Sequence, residues 1–238
     1  MSEAQLSHRV GAASRILAWF AHLYTATGAV IALLATAMTF AHNFRAALLY
    51  LVAATIVDAT DGVLARAVRV KERLPYFDGA LLDNLVDYLT YVFVPALIVW
   101  QAELVPVAFP ICALMLVSSL YGFARTDSKG AEDDHYFKGF PSYWNIVVAY
   151  LYVLQLSQRT NAIVLGVLVV MVFVPIHYLY PSRMRTFKAP TVALGTMWGV
   201  LFIWMLWRLP AVGGPLTMVS FIFPAYYLAL SLWLQFRR

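Results

Sequence analysis

Two short runs hold the residues with the types and spacing for phosphate chemistry. In D-A-T-D-G-V-L-A-R, Asp61, Gly62, Ala65 and Arg66 follow Asp58 at offsets of 3, 4, 7 and 8. On a helix those positions share one face. In G-A-L-L-D-N-L-V-D, Gly79, Asp83 and Asp87 are spaced by fours, again on one face. Four carboxylates meeting in a low-dielectric setting cannot all stay ionised without compensation. Arg66 offers one positive charge; divalent cations offer more. All-oxygen ligation favours magnesium, manganese or calcium over zinc or copper. A magnesium-type ion that keeps its waters and binds phosphate oxygens fits best. Gly62, Ala65 and Gly79 leave room for a ligand beside the acids, although small residues also serve close helix packing in membranes. Spacing alone leaves a second chemistry open, in which the acids relay ions or protons across a membrane.

The elements that must position these residues are apolar. Of 238 residues, 62% are hydrophobic and 12% charged, against about a quarter charged in soluble domains. The mean hydropathy is +0.74. A spanning helix needs about 20 mostly apolar residues. Eight stretches qualify, at 16–40, 46–67, 80–102, 104–124, 142–157, 161–180, 189–207 and 216–236, the fifth being short. The first is too long for a signal-peptide core of about 7–15 residues. The expected fold is all-α: a polytopic membrane helix bundle with about eight transmembrane helices and no separate soluble domain. The single cysteine, Cys112, excludes an intramolecular disulfide framework and a cysteine-based zinc site.

The net charge of +5 points to membrane topology rather than nucleic acid. With the N-terminus in the cytoplasm, fourteen of the seventeen basic residues face that side, leaving Arg45, Arg159 and Arg208 opposite. The positive-inside rule selects this orientation, with both termini cytoplasmic. It also puts two polar loops, 67–79 and 125–141, at the cytoplasmic face, where a water-soluble substrate is handled. The second and third spans, joined by the first loop, are expected to be antiparallel neighbours. Their acids then converge near the cytoplasmic membrane boundary.

These strings resemble the CDP-alcohol phosphotransferase signature, D-x-x-D-G-x-x-A-R followed by G-x-x-x-D-x-x-x-D, at all eight of its positions. The spacer between Arg66 and Gly79 holds twelve residues, longer than usual for that family. The long spacer, V-K-E-R-L-P-Y-F-D-G, F-K-G-F-P-S-Y-W-N and the eight spans look like the branch of bacterial phosphatidylcholine synthases. The similarity runs from about His22 to Tyr180. It implies transfer of a phosphatidyl group from CDP-diacylglycerol to choline, releasing CMP, with Mn2+ or Mg2+ required, in the bacterial inner membrane. It also implies roles: metal binding for Asp58, Asp61 and Asp83; general-base chemistry for Asp87, with contact to a second metal; and a CDP site lined by Asp61, Gly62, Ala65, Arg66 and Gly79. The family is often dimeric. A serine, inositol or glycerol phosphate acceptor is the alternative within the family, and an ion-coupled transporter the alternative outside it.

The resemblance divides the chain into a juxtamembrane segment (1–15), a six-helix core (16–180) and two further helices (181–238). Choline adds a requirement, because a quaternary ammonium has no hydrogen-bond donor and is recognised by aromatic faces and negative charge. Tyr88, Tyr91, Tyr121, Tyr143, Trp144 and Asn145 are candidates, although aromatic belts at membrane interfaces account for many such residues. Lys129, Lys138, Arg183 and Arg185 are candidates for donor phosphates or anionic lipid heads; Lys138 stands out within F-K-G-F-P. Thr25, near the cytoplasmic end of the first span, is placed to reach the nucleotide. His22 and His177 read as packed or interfacial residues.

Overall fold

The computed structural model describes residues 12–125, 136–179, 187–211 and 214–235. Lys129, Arg183 and Arg185 lie outside them. Helix α1 (Ala12–Phe40) and α2 (Phe44–Ala67) form a hairpin. Its tight turn closes with Asn43, whose side chain accepts from the Ala46 N–H at 3.1 Å; a capped first turn satisfies one of the orphaned amide donors. Small buried residues let the two backbones approach: Ala18, Ala21, Ala32 and Ala35 on α1, and Ala47 and Ala54 on α2.

The first polar loop is more structured than its composition implies. It contains a short helix, α3 (Val70–Arg73). Val70 and Leu74 are buried with Ala18 and Ala21 of α1, and Ala65, Val68 and Phe77 pack around them. The long spacer is thus pinned under α1. Helix α4 (Gly79–Gln101) follows. Asp78 caps it, its Oδ1 accepting from the Ala80 and Leu81 N–H groups at 3.0 Å each. From Tyr88 to Phe93, directly after Asp87, α4 is π-helical; such stretches are rare and gather at functional sites.

Next come α5 (Ala108–Ala124), α6 (Trp144–Leu154), α7 (Gln158–Phe173), α8 (Lys188–Trp207), and α9 (Gly214–Ser220) with α10 (Ile222–Gln235), the two halves of one last span. Every expected span therefore has its helix. Among the described residues five helices are long and apolar enough to cross a membrane, and α5, α6 and α7 are shorter. Two expectations change. The span at 142–157 holds a helix of only 11 residues, centred on buried Trp144, Val148 and Leu151, as suits a helix surrounded by protein. The span at 161–180 leaves the helix at Val174, which is extended because Pro175 excludes the helical region for the residue before it.

Strands β1 (Tyr136–Lys138) and β2 (His177–Leu179) form a small antiparallel ribbon, with Lys138 opposite His177. Gly139 follows at φ +85°, where a Cβ would strike the Val172 carbonyl. The Gly139 N–H donates to Ile176 O at 2.8 Å and the Phe140 N–H to Met171 O at 3.0 Å. The segment entering α6 is thereby laced to the end of α7. The core centres on Ile98, Val99, Met115, Trp144, Leu165, Met205 and Leu206. Leu33, Val117, Ile163 and Met197 are exposed, as lipid-facing side chains would be.

Candidate active site

Asp58 lies on α2, and Asp83 and Asp87 lie one turn apart on α4. One carboxylate oxygen from each falls within 4.8 Å of the other two. Tyr91, one turn beyond Asp87 and 7% exposed, donates its hydroxyl to Asp58 Oδ2 at 2.7 Å. That bond ties the two acid-bearing helices together and orients Asp58.

The fourth acid of the motif, Asp61, is outside that group of three and has partners of its own. Asp61 is buried and accepts from Thr25 Oγ1 at 2.8 Å. The Gly62 backbone and the Arg66 charge also act on it. The Thr25 bond links Asp61 to α1. Thr25 therefore bonds an acid of the motif. One residue back, Tyr24 and Thr60 share a hydroxyl–hydroxyl bond at 2.7 Å.

The small residues are in closer quarters than a vacant cleft would give. A Cβ on Gly62 would lie 3.2 Å from Arg66 Nη1, so the guanidinium crosses that glycine. Ala65 packs beside the Val70–Leu74 cluster. A Cβ on Gly79 would come within 2.6 Å of His22 Cε1. His22, its ring tilted against that of Phe77 with centroids 4.3 Å apart, is packed as expected.

The aromatic and polar candidates separate. Tyr88 donates to Leu116 O on α5 at 3.1 Å. Tyr121 is exposed, with Arg125 over its ring and Phe173 beside it. Trp144 is fully buried and its indole N–H donates to Ser119 Oγ at 2.7 Å, which makes it a core residue. Asn145 donates to Thr55 Oγ1 at 3.0 Å, joining α6 to α2 one turn before Asp58. Lys138 lies half-buried in the ribbon. Sequence reasoning missed the cap made by Asp78, although an aspartate just before a helix start is the standard signal. It also missed Thr55, for which no local signal exists.

Residues 18–175 match the CDP-alcohol phosphatidyltransferase family. The chain belongs to that family. It is 36% identical to a phosphatidylcholine synthase of Legionella pneumophila subsp. pneumophila over 91% of this chain and 88% of the relative. It is 38% identical to one of Pseudomonas aeruginosa over 91% of each. It is 37% identical to one of Bradyrhizobium diazoefficiens over 99% of this chain and 86% of the relative. No solved structure matches the chain. As a CDP-alcohol phosphatidyltransferase the chain is a membrane-embedded transferase, of a family that generally depends on divalent metal. The acid cluster fits such an ion. Three carboxylate oxygens this close repel one another unless a cation or a proton intervenes, and an all-oxygen set suits a hard divalent ion.

Proposed function

We propose that the chain transfers the phosphatidyl group of CDP-diacylglycerol to choline, forming phosphatidylcholine and CMP. The observation that carries this reading is the meeting of Asp58, Asp83 and Asp87 on two neighbouring helices, in a family whose name describes phosphatidyl transfer from CDP-alcohols. Similarity to phosphatidylcholine synthases over about nine-tenths of the chain supports choline as acceptor. The ion-relay alternative raised by spacing falls with membership of a transferase family.

In this reading the choline oxygen forms a bond to the lipid-bearing phosphorus. The bond from that phosphorus to the bridging oxygen breaks, and CMP leaves with that oxygen. Asp58, Asp83 and Asp87, with Asp61 beside them in the motif, would hold a divalent ion, Mn2+ or Mg2+, which would supply charge neutralisation for the phosphates. Tyr91 holds Asp58 in place. Asp87 accepts the hydroxyl proton as attack proceeds. Asp61 and Thr25, with Gly62, Ala65, Arg66 and Gly79, serve the CDP moiety; Arg66 adds positive charge for the leaving phosphate. Part of the acceleration comes from holding donor and acceptor in line. The reaction is assigned to residues 16–180, at the cytoplasmic face of the inner membrane.

The test is an acceptor panel. Purified chain with labelled CDP-diacylglycerol and Mn2+ should release CMP with choline, and a chelator should stop it. Release with serine, inositol or glycerol phosphate but not with choline would reject the acceptor while leaving the family in place.

A further inference from the structure

A run of tyrosines leads away from the aspartates toward the last span. Tyr91, bonded to Asp58, sits beside Tyr143 with ring centroids 5.9 Å apart, within the usual range for aromatic contact. Tyr143 and Tyr178 are both close enough to Tyr227 to act electrostatically on its phenol. The Tyr178 and Tyr227 rings lie nearly parallel, 6.5 Å apart at 19°. Four elements contribute: α4, the lead into α6, β2 and α10. The His177 N–H donates to Gln235 Oε1 at 3.2 Å, which fixes the ribbon against α10. Tyr178 and Tyr227 both lie beyond residue 175, where the family match ends.

A quaternary ammonium is held by aromatic faces and nearby negative charge, because it offers no hydrogen-bond donor. In choline two carbons separate that ammonium from the reacting hydroxyl. With the hydroxyl at Asp87, the ammonium falls about one ring away. Tyr91 meets that requirement next to the acids, since its hydroxyl bonds Asp58, Asp87 lies one turn before it on α4, and Tyr143 packs beside its ring. We propose that Tyr143 and Tyr227, with Tyr91 closing the side next to the acids, form the pocket for the acceptor's trimethylammonium group. The last span, outside the region shared across the family, then takes part in acceptor selection. This inference rests on choline being the acceptor.

Steady-state kinetics on the full-length chain test it, with choline and its neutral isostere 3,3-dimethylbutanol as acceptors. Tyr227→Leu should raise the choline KM about 5- to 30-fold and leave the CDP-diacylglycerol KM within about 2-fold. It should also lower the choline-to-isostere ratio of kcat/KM. Tyr227→Phe, which keeps the ring, should raise the choline KM by less. Tyr143→Leu should act like Tyr227→Leu, which keeps the proposal testable if one variant does not fold. Leu228→Ala, on the exposed side of α10, should match the parent. An unchanged acceptor ratio in both leucine variants, or equal rises in both substrate KM values, would overturn the pocket and leave choline standing. A parent chain that ignores choline would overturn both.

Discussion

The hydrogen bond from Tyr91 to Asp58 links α4 directly to the motif of α2. A group that hydrogen-bonds and orients a metal ligand is typically worth 10–100-fold in affinity or activity. Tyr91→Phe should therefore raise the Mn2+ concentration needed for half-activation by about that factor, read from activity against free metal. Asp87→Asn should lower kcat about 10²–10⁴-fold even at saturating Mn2+, and, because Asp87 belongs to the carboxylate cluster, should also raise the Mn2+ needed for half-activation. Thr25→Val leaves the buried Asp61 carboxylate without its hydroxyl donor. It should destabilise the chain by about 1–3 kcal/mol, measured by thermal unfolding in detergent. The eight motif residues were legible because their chemistry and spacing are local. The partner of each acid was not. Tyr91 reaches across 33 residues to Asp58 and Thr25 across 36 to Asp61, and only the packing of α1, α2 and α4 decides those pairings.

At the scale of elements, two glycines mark close approaches of different kinds. At Gly79 the obstacle to a Cβ is a side chain, His22; at Gly139 it is a backbone carbonyl, and φ is positive. Gly79→Ala should lower the unfolding temperature, and adding His22→Ala should restore much of the loss. Gly139→Ala should lower it further, and no side-chain substitution at Val172 should rescue it, since the backbone is the obstacle. An unrescued Gly79→Ala would disprove the contact. The long helices were legible from apolar length alone. The ribbon was not, because a three-residue strand carries too little alternation to register. Nor was the burial of Leu74 in the spacer, where one leucine among charges gives no periodic signal. The π-helical stretch was equally hidden, since a wider turn has no composition of its own.

At the scale of the whole molecule, the orientation rests on the distribution of basic residues. It can be read chemically because the native cysteine, Cys112, is buried. A membrane-impermeant thiol reagent added to inside-out vesicles should label Glu72→Cys and leave Arg159→Cys untouched; right-side-out vesicles should give the reverse. Labelling of both from one side would contradict the arrangement. The eight apolar stretches were visible in advance, the fifth as the short one, but that α6 covers only 11 of its residues was not. An 11-residue helix rises about 16 Å, roughly half of a hydrocarbon layer of about 30 Å. Through Asn145 and Thr55, its first turn is level with the acids of α2. Non-helical backbone at such depth survives only where protein covers it or water reaches it. A reaction centre level with a helix that starts inside the bilayer would lie below the headgroup plane. A lipid-anchored donor can glide in edgewise without leaving its leaflet, whereas a small cationic alcohol must be drawn down from the water above.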